Sequence, residues 1–309
     1  MNLTCISRPV SHTFAVISDI RTEANLQHAV DPSPSAAFSL TNISPTATQG
    51  VPRIHAEVGN YLLRTAESQQ DREAACRLRF RVFNVELGEG LECSYETGLD
   101  QDRFDPVCEH LLVEERQSRR VVGTYRMQSG LSAARHEGYY TEQEFVMTPY
   151  EPLRAGILEL GRAAVDREHR TPEVLTLLWR GIAQYATAMG LRYLLGCSSM
   201  NSNNPAEGWQ MYRQLERFRV SPEFMTEPTA AFACPTEQQG GDAQPASPDG
   251  APKPAKVPKL LKTYLALGTR IAAPPAWDRE FHTIDFLTLL DLEALLPAAR
   301  ERFLGPITE

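Results

Sequence analysis

Two side chains in the middle of the sequence could accept a proton during catalysis. Glu159 lies inside an apolar run, where a carboxylate can serve as a general base, directly or through water. His110 begins another apolar run, and its imidazole would titrate near neutral pH. Each also has a structural interpretation, because Glu159 could form a salt bridge with Arg126 or Arg79, and His110 could be hydrogen-bonded to Asp105.

A second group of ionisable residues could bind a charged small molecule. Asp102 and Asp105 lie in a loop rich in acidic residues, where two carboxylates could bind cationic groups. Arg79 and Arg126 could bind a carboxylate. Alternatively, the aspartates cap and bridge their loop, and the arginines pair with Glu159 and Asp105. We favour a buried ionic network that does both.

The spacing of Glu159 and Arg162 constrains the backbone between them. Residues three positions apart along a strand point to opposite faces. These two side chains therefore cannot both enter one pocket unless a β-bulge re-aims one of them.

The elements that must position these residues alternate between strand and helix. Apolar residues at helical spacing predict helices over 71–86 and 174–189, and a short helix over 206–217. The order of strands and helices, with a hairpin in its middle, indicates an α/β fold with a mixed sheet. The predicted strands are YLLRTA from Tyr61, HLLVEE from His110, VVGTYRM from Val121, ILELGRAAV from Ile157 and LRYLLGCSS from Leu191.

Composition divides the sequence into four parts. Residues 1–55 are rich in Ser, Thr, Pro and Ala and are predicted to be a disordered extension, and 235–257 a disordered Pro/Gly-rich linker. Residues 56–234 are predicted to form the core. Residues 258–309 are predicted to be helical and to pack on that core, because leucines fall at helical spacing after Pro258 and again in a helix predicted over 286–296.

The overall composition argues against several classes of protein. The 309 residues carry a net charge of −8, which makes the chain a poor partner for nucleic acid. The six cysteines form no C-x-x-C pair and no zinc spacing with histidine, so we expect no metal site and free thiols in a reducing compartment. No apolar run approaches the ~20 residues of a membrane span, and no secretory signal is evident. We expect a cytoplasmic protein that could contact the inner membrane peripherally without crossing it.

Several motifs in a fixed order resemble a known enzyme family. The elements R-x-x-V-F, D-x-[FY]-D, G-x-x-R and E-L-[GS]-R resemble the acyl-homoserine-lactone synthases. The fuller pattern is similar to the ornithine N-alpha-acyltransferases of bacterial ornithine-lipid synthesis, and it extends over about residues 60 to 304 apart from the linker. The segments that carry this resemblance are DRFDPVCEHLLV, VVGTYRM, YYTEQEF, LELGRAAV, LLWRGIAQY, LLGCSSM and LLKTYLALGTRIAAPPAWDREFHTIDFLTLL.

The resemblance implies both a fold and a reaction. The fold would be a GNAT-like acyltransferase core with a C-terminal helical extension. The enzyme would move a 3-hydroxyfatty acyl group from acyl carrier protein to the α-amine of L-ornithine, giving lyso-ornithine lipid. Acyl carrier protein would be co-substrate and partner, and no metal or other cofactor is implied.

The resemblance also implies roles for individual residues. Glu159 and Arg162 match the E-L-[GS]-R motif that helps form the site of the synthases, and we expect a β-bulge there because this fold splays two strands to admit a pantetheine arm. Backbone N–H groups over 163–165 would stabilise the oxyanion. Tyr212 stands where many GNAT enzymes place a tyrosine near the leaving sulfur, although an ordinary core or surface tyrosine is the alternative.

The loop after Val165 departs from the pattern of acetyl-CoA enzymes. It reads DREHRTPE and has no glycine, whereas glycines would let backbone N–H groups wrap a pyrophosphate. Acyl carrier protein presents a phosphopantetheine with one phosphate, so the demand on the loop is smaller. Arg167, His169 and Arg170 would suit the acidic surface of such a carrier. The alternative is a solvated charged loop.

Three other functions stay open at this point. The enzyme could acylate another amine, such as another amino acid or a signalling precursor. A haemolysin-like membrane-active protein is a second alternative, although no span or strongly basic amphipathic helix supports it. The third is a GNAT-fold binding module without catalysis.

Overall fold

The computed structural model describes residues 51–235, 255–295 and 297–304. A nine-stranded mixed sheet runs through this part of the chain in the order β1-β2-β3-β4-β5-β6-β9-β7, with β8 also paired to β9. The strands are β1 His55–Val58, β2 Tyr61–Thr65, β3 Glu109–Glu115, β4 Val121–Ser129, β5 Ile157–Val165, β6 Tyr193–Asn201, β7 Arg270–Ile271, β8 Ala276–Asp278 and β9 Thr283–Asp291. Every predicted strand is confirmed.

Helices cover both faces of this sheet. A capping box at Ser68 begins α1, which continues beyond Phe80 as a π-helix over Arg81–Leu87. Thr171 caps α4, and Pro172 occupies its first turn, where a missing N–H costs nothing. The helices are α1 Gln69–Phe80, α2 Ser94–Thr97, α3 Gly130–Arg135, α4 Pro172–Ala188, α5 Pro205–Gln214, α6 Lys259–Leu267 and α7 Pro297–Leu304.

The larger apolar core lies between α4 and the sheet. Leu63, Leu111 and Ile182 are fully buried there, and burial of each such side chain stabilises the fold by about 1.5–3 kcal/mol. Gly181 allows the close approach of α4, because a Cβ at this position would lie 2.7 Å from Leu111 Cδ2. The opposite face of the sheet, under α1, has a smaller apolar core and carries most of the buried charge.

Strands β5 and β6 separate along their length. They are parallel neighbours, and their pairing covers only Ile157–Glu159 with Tyr193–Leu195. Beyond Glu159, β5 pairs only with β4, and beyond Leu195, β6 pairs only with β9. A gap in the middle of the sheet therefore opens at Glu159.

The predicted helix over Phe286–Leu296 is wrong. Residues Thr283–Asp291 form strand β9, which pairs with β6 along its whole length and is buried at every position. A run buried on both faces carries no alternation of polar and apolar residues, so its leucines fit a helix as well as a strand. Position 296 lies outside the described residues. The helices α6 and α7 confirm that the C-terminal part contributes helices, but its centre completes the sheet.

The remaining predictions on organisation are only partly accessible. Most of the predicted extension (1–50) and linker (236–254) lies outside the described residues. No helix in the described ranges is long and apolar enough to cross a membrane. The cysteines of the described ranges are free thiols, as predicted; they are Cys76, Cys93, Cys108, Cys197 and Cys234.

Candidate active site

A β-bulge in β5 brings Glu159 and Arg162 to the same face of the sheet. Thr124 pairs with Ala164 and Arg126 with Gly161, so β5 has one residue more than β4 over this stretch. Arg162 has a φ of 51°, in the left-handed region, where a side chain other than that of glycine is uncommon. The predicted bulge is confirmed.

Beneath α1 lies a buried network of arginines and aspartates. Arg79 donates from Nε to Asp100 at 2.9 Å and from Nη1 and Nη2 to the two oxygens of Asp105, both at 2.8 Å. Arg126 Nη1 donates to Asp102 at 2.6 and 2.7 Å and to Asp105 at 3.3 Å. Because charges of opposite sign are neighbours throughout, the network can remain ionised without water.

Within the network, the guanidinium groups of Arg126 and Arg79 differ in how fully their donors are used. Arg126 Nη2 is buried and has no hydrogen-bond partner among the described residues, whereas every nitrogen of the Arg79 guanidinium donates to an aspartate. Burial opposes a charge on Asp105, but Arg79 and Arg126 more than offset it and hold the pKa of that carboxyl well below its usual range. Asp102 and Asp105 therefore do not form an open pocket for cations.

Glu159 has different partners from those its structural interpretation proposed. It is buried and accepts hydrogen bonds from the Tyr140 amide at 3.0 Å, the Thr141 amide at 2.8 Å and the Thr141 hydroxyl. It forms no ion pair within 4 Å with Arg126 or Arg79. Burial raises its pKa, which would let it take up a proton more readily than a surface carboxylate.

His110 lies at the edge of the Arg–Asp network. Its Nε2 is 3.1 Å from the Asp105 carbonyl oxygen, as the structural interpretation predicted in part, and Nδ1 is buried without a partner among the described residues. Burial lowers the pKa of His110 to about 4, so the imidazole is neutral at pH 7. A neutral imidazole can accept a proton, but the ring is only 1% exposed.

A small apolar pocket occupies the gap between β5 and β6 on the α4 side of the sheet. Leu160, the neighbour of Glu159 in β5, is one of its lining residues. The pocket is lined by Leu160, Trp179, Leu194, Leu195, Gly196, Tyr264, Thr269, Thr288 and Leu290.

The basic loop after β5 is largely occupied by contacts within the chain. Arg170 forms two hydrogen bonds of 2.6 Å with Glu86, and His169 Nδ1 is 3.1 Å from the Tyr61 hydroxyl. Arg167, in contrast, is exposed. Of the three basic side chains predicted to meet a carrier protein, Arg167 is therefore the most accessible.

The structure does not bring Tyr212 to Glu159. The Tyr212 hydroxyl lies 3.7 Å from Met225 Sδ, and the Arg219 guanidinium stacks on its ring at 3.9 Å. The side chain packs in the apolar cluster around α5, α6 and β9, so a role at the leaving sulfur stays a prediction.

Sequence reasoning missed the residues that hold Glu159. Tyr140 and Thr141 belong to the YYTEQEF segment, whose resemblance to the family was noted without a role for either residue. Asp100 was also missed, although it lies two positions before Asp102 in the same acidic loop and contacts both Arg79 and Arg162.

Comparisons with known proteins agree with this geometry. Residues 78–180 match the family model described as "Acetyltransferase (GNAT) domain". The L-ornithine N(alpha)-acyltransferase of Rhodobacter capsulatus is 31% identical over 248 residues, 78% of this chain and 94% of the relative. That of Brucella abortus is 30% identical over 263 residues, 81% and 90% of the two chains.

Among solved structures, the match to the AHL synthase LasI covers 81% of this chain and 97% of the LasI chain, with 12% identity and a TM-score of 0.43. The family is established by sequence, since the chain spans nearly the whole length of relatives with the identities given above. The GNAT-like α/β fold predicted from the sequence is confirmed, and the chain belongs to the L-ornithine N(alpha)-acyltransferase family.

Proposed function

We propose that this chain acylates the α-amine of L-ornithine with a 3-hydroxyfatty acyl group carried by acyl carrier protein, giving lyso-ornithine lipid. One observation carries the proposal. Glu159, a buried carboxylate, lies at the last paired position of β5 and β6, next in sequence to Leu160, which lines the apolar pocket. The acceptor follows from the names of the relatives.

The gap between the strands suits the donor. A pantetheine arm entering between β5 and β6 would bring its thioester to Glu159, and the apolar pocket would surround methylene groups of the acyl chain. The loop after β5 has no glycine to wrap a pyrophosphate, which favours a carrier with a single phosphate over coenzyme A.

The ionic network suits the acceptor. Arg126 Nη2 is buried and has no hydrogen-bond partner among the described residues, and it can bind the carboxylate of an amino acid. Arg79 cannot do so without breaking its bonds to Asp100 and Asp105. Its part is to hold Asp105, which in turn orients Arg126.

The reaction needs two proton losses from the α-ammonium. The first passes to bulk water, after which the free amine attacks the thioester carbonyl carbon and an oxyanion forms. Glu159 accepts the second proton as the tetrahedral intermediate collapses, the C–S bond breaks and the thiolate of the carrier leaves. The thiolate needs little acid help, because its pKa is about 8.5 when free. Glu159 returns the proton to the thiolate or to water.

The backbone of β5 can stabilise the oxyanion. Beyond Glu159 this strand has no ladder partner on β6, so the backbone groups on that side are open to the gap. Preorganised backbone N–H groups of this kind are worth about 10²–10³ in rate. The product carries a long acyl chain, and we expect its release to involve peripheral contact with the inner membrane.

A turnover assay tests the proposal. Purified protein is incubated with 3-hydroxyacyl carrier protein, or with the matching acyl-CoA, and a panel of amino acids, and the products are read by mass spectrometry. Acyl-ornithine above all other products, formed faster from the carrier protein, is the expected result. Acylation of a different amine would overturn the ornithine assignment, and no acylation from either donor would leave a non-catalytic binding module.

A further inference from the structure

A second cluster of buried acids lies beside the Arg–Asp network and has no part in the reaction described above. Glu144 follows the short 3₁₀-helix Tyr140–Gln143, Asp278 ends β8 and Asp285 lies on β9. One carboxylate oxygen of each lies within 4.8 Å of the others, and none of the three side chains is more than 2% exposed.

Glu144 is the member of this cluster that lacks a counter-charge. Its carboxylate is buried, the donor that acts on it is the uncharged Cys197 thiol, and it makes no ion pair among the described residues. The contrast with the neighbouring network is sharp, since Asp100, Asp102 and Asp105 all pair with arginines. A carboxylate shut away from water without a counter-charge is costly, so its position calls for a ligand that supplies positive charge.

The cluster is joined to Glu159 through a few atoms. Thr141 hydrogen-bonds to Glu159, its hydroxyl is 4.0 Å from Cys197 Sγ, and its carbonyl accepts from the Glu144 amide at 3.1 Å. Asp285 pairs with Ser199, on the part of β6 that has diverged from β5. The acids therefore lie toward the open end of the gap, and Glu144 is three residues from Thr141, which hydrogen-bonds to the proposed base.

Electrostatics agree with a cation-binding site at this cluster. Burial, together with Asp285 and Asp278, raises the pKa of Glu144 well above its ordinary value. Three carboxylates this close cannot all be ionised unless a cation joins them.

We propose that Glu144, with Asp278 and Asp285, binds the δ-ammonium of the acceptor while its α-amine lies at Glu159, so that this cluster selects a diamino acid. The inference rests on the proposed function and extends it to specificity. The carboxylate, the α-amine and the δ-ammonium would then have separate partners: Arg126, Glu159 and the acidic cluster. An amino acid with an uncharged side chain would leave the cluster without its cation.

L-Norvaline, which is ornithine without the δ-amine, provides the test. The wild-type protein should show a kcat/KM for ornithine at least about 10²-fold higher than for norvaline, because the analogue leaves buried acids unpaired. Glu144→Gln should lower kcat/KM for ornithine by about tenfold or more and leave that for norvaline unchanged or raised. Asp285→Asn is a second variant with the same expected pattern. Glu142→Gln, on the same 3₁₀-helix but paired with Arg154, is the matched control and should keep the wild-type preference.

Each contrary outcome has a distinct meaning. If the wild-type protein acylates norvaline as well as ornithine, the subsite is overturned and the proposed function stands. The same holds if Glu144→Gln lowers kcat/KM for both amino acids by the same factor. A stoichiometric divalent metal in the purified protein, lost in Glu144→Gln, would assign the cluster to a metal instead. Failure of wild type to acylate ornithine at all would remove the proposed function and this inference together. Thermal melting of each variant checks that it is folded.

Discussion

At the scale of single residues, the α1 face of the sheet concentrates buried charge in two states. One part is neutralised within the chain, with Arg79 and Arg126 alternating with aspartates. The other part consists of Glu159 and Glu144, whose neighbouring donors among the described residues are uncharged. Internal pairs can hold the fold, while the groups without a counter-charge are free to respond to substrate.

Replacing Glu159 tests its role as the base. Glu159→Gln keeps the shape of the side chain but removes its ability to accept a proton, so we expect kcat to fall by about 10²–10⁴-fold. Since burial raises the pKa of Glu159, the acid limb of kcat/KM in the wild type should lie above pH 4.5. Steady-state kinetics over a pH series measures both. Glu142→Gln serves as control, and a Glu159→Gln protein with near wild-type kcat would exclude Glu159 as the base.

His110 should make stability depend on pH. Its folded pKa of about 4 lies below the ordinary 6.5, so between these values the unfolded chain binds a proton that the folded protein does not. Stability is therefore lost as the pH falls from 6.5 to 4, by on the order of 3 kcal/mol for this group. Urea unfolding at pH 7 and pH 4.5 should show a smaller difference for His110→Gln than for wild type. Replacing the exposed His136 by Gln is the control. An equal change in unfolding free energy between pH 7 and pH 4.5 in His110→Gln and in the wild type would contradict the prediction.

At the scale of elements, the sequence allowed more of the fold than of the site to be predicted. Strands with one clear apolar run and helices with helical spacing were found where expected, and the three-residue spacing of Glu159 and Arg162 predicted a bulge once it was combined with the family resemblance. The helix predicted over 286–296 was wrong because β9 is buried on both faces. The strand pairs with β6, which is far away in the sequence, so the local pattern of residues does not reveal this pairing.

The site was predictable in its residue types but not in its pairings. Arg79, Asp105, Arg126 and Glu159 were singled out as charged residues that could bind substrate or take up a proton, and all are buried in the structure. Which carboxylate meets which arginine depends on how the loop before β3 folds back under α1. The role of Thr141 depends on contacts with β5, which its own segment does not reveal.

The position of α5 predicts that the segment 236–254 can be replaced by a shorter linker. Trp209 Nε1 donates to the Pro235 carbonyl at 2.9 Å and Gln214 Nε2 to the Ala255 carbonyl at 3.2 Å. Trp209 and Gln214 are about 7.5 Å apart along α5, so the two ends of the segment are held close together. Replacing 236–254 by a Gly/Ser linker of about eight residues should keep the thermal midpoint and the activity.

The matched comparison removes β9 instead. Truncation before Pro258 deletes a strand from the interior of the sheet and should prevent folding, as judged by circular dichroism and solubility. A folded truncation, or an inactive protein with the replaced linker, would contradict this account of how the C-terminal part is attached.

At the scale of the whole molecule, electrostatics oppose a carrier that is itself acidic. The net charge of −8 would repel such a partner, so docking needs a local basic contact. Arg167 is exposed beside the end of β5, whereas Arg170 is paired with Glu86. The encounter should therefore be sensitive to salt and to this one side chain.

Reversing the charge at Arg167 tests this docking site. Arg167→Glu should raise KM for acyl carrier protein by roughly tenfold at low salt, with a smaller effect at high salt, and leave kinetics with a small acyl-pantetheine thioester unchanged. Arg135→Glu makes the same charge change in an exposed arginine of α3 and is the control. An equal rise in KM for both donors would place Arg167 at the thioester site instead, and no rise for either would move the docking surface elsewhere.

The interior position of β9 has a consequence for how the protein is made. During synthesis β6 is complete well before residues 283–291 have left the ribosome, so for that interval one long edge of β6 has no neighbour. Open edges invite pairing with other chains. The nascent protein must therefore wait, with β6 as an open edge of the sheet, until β9 arrives. Delay in translation between β6 and β9 would prolong exposure to aggregation, and the apolar pocket, which Thr288 and Leu290 help to line, can form only after that point.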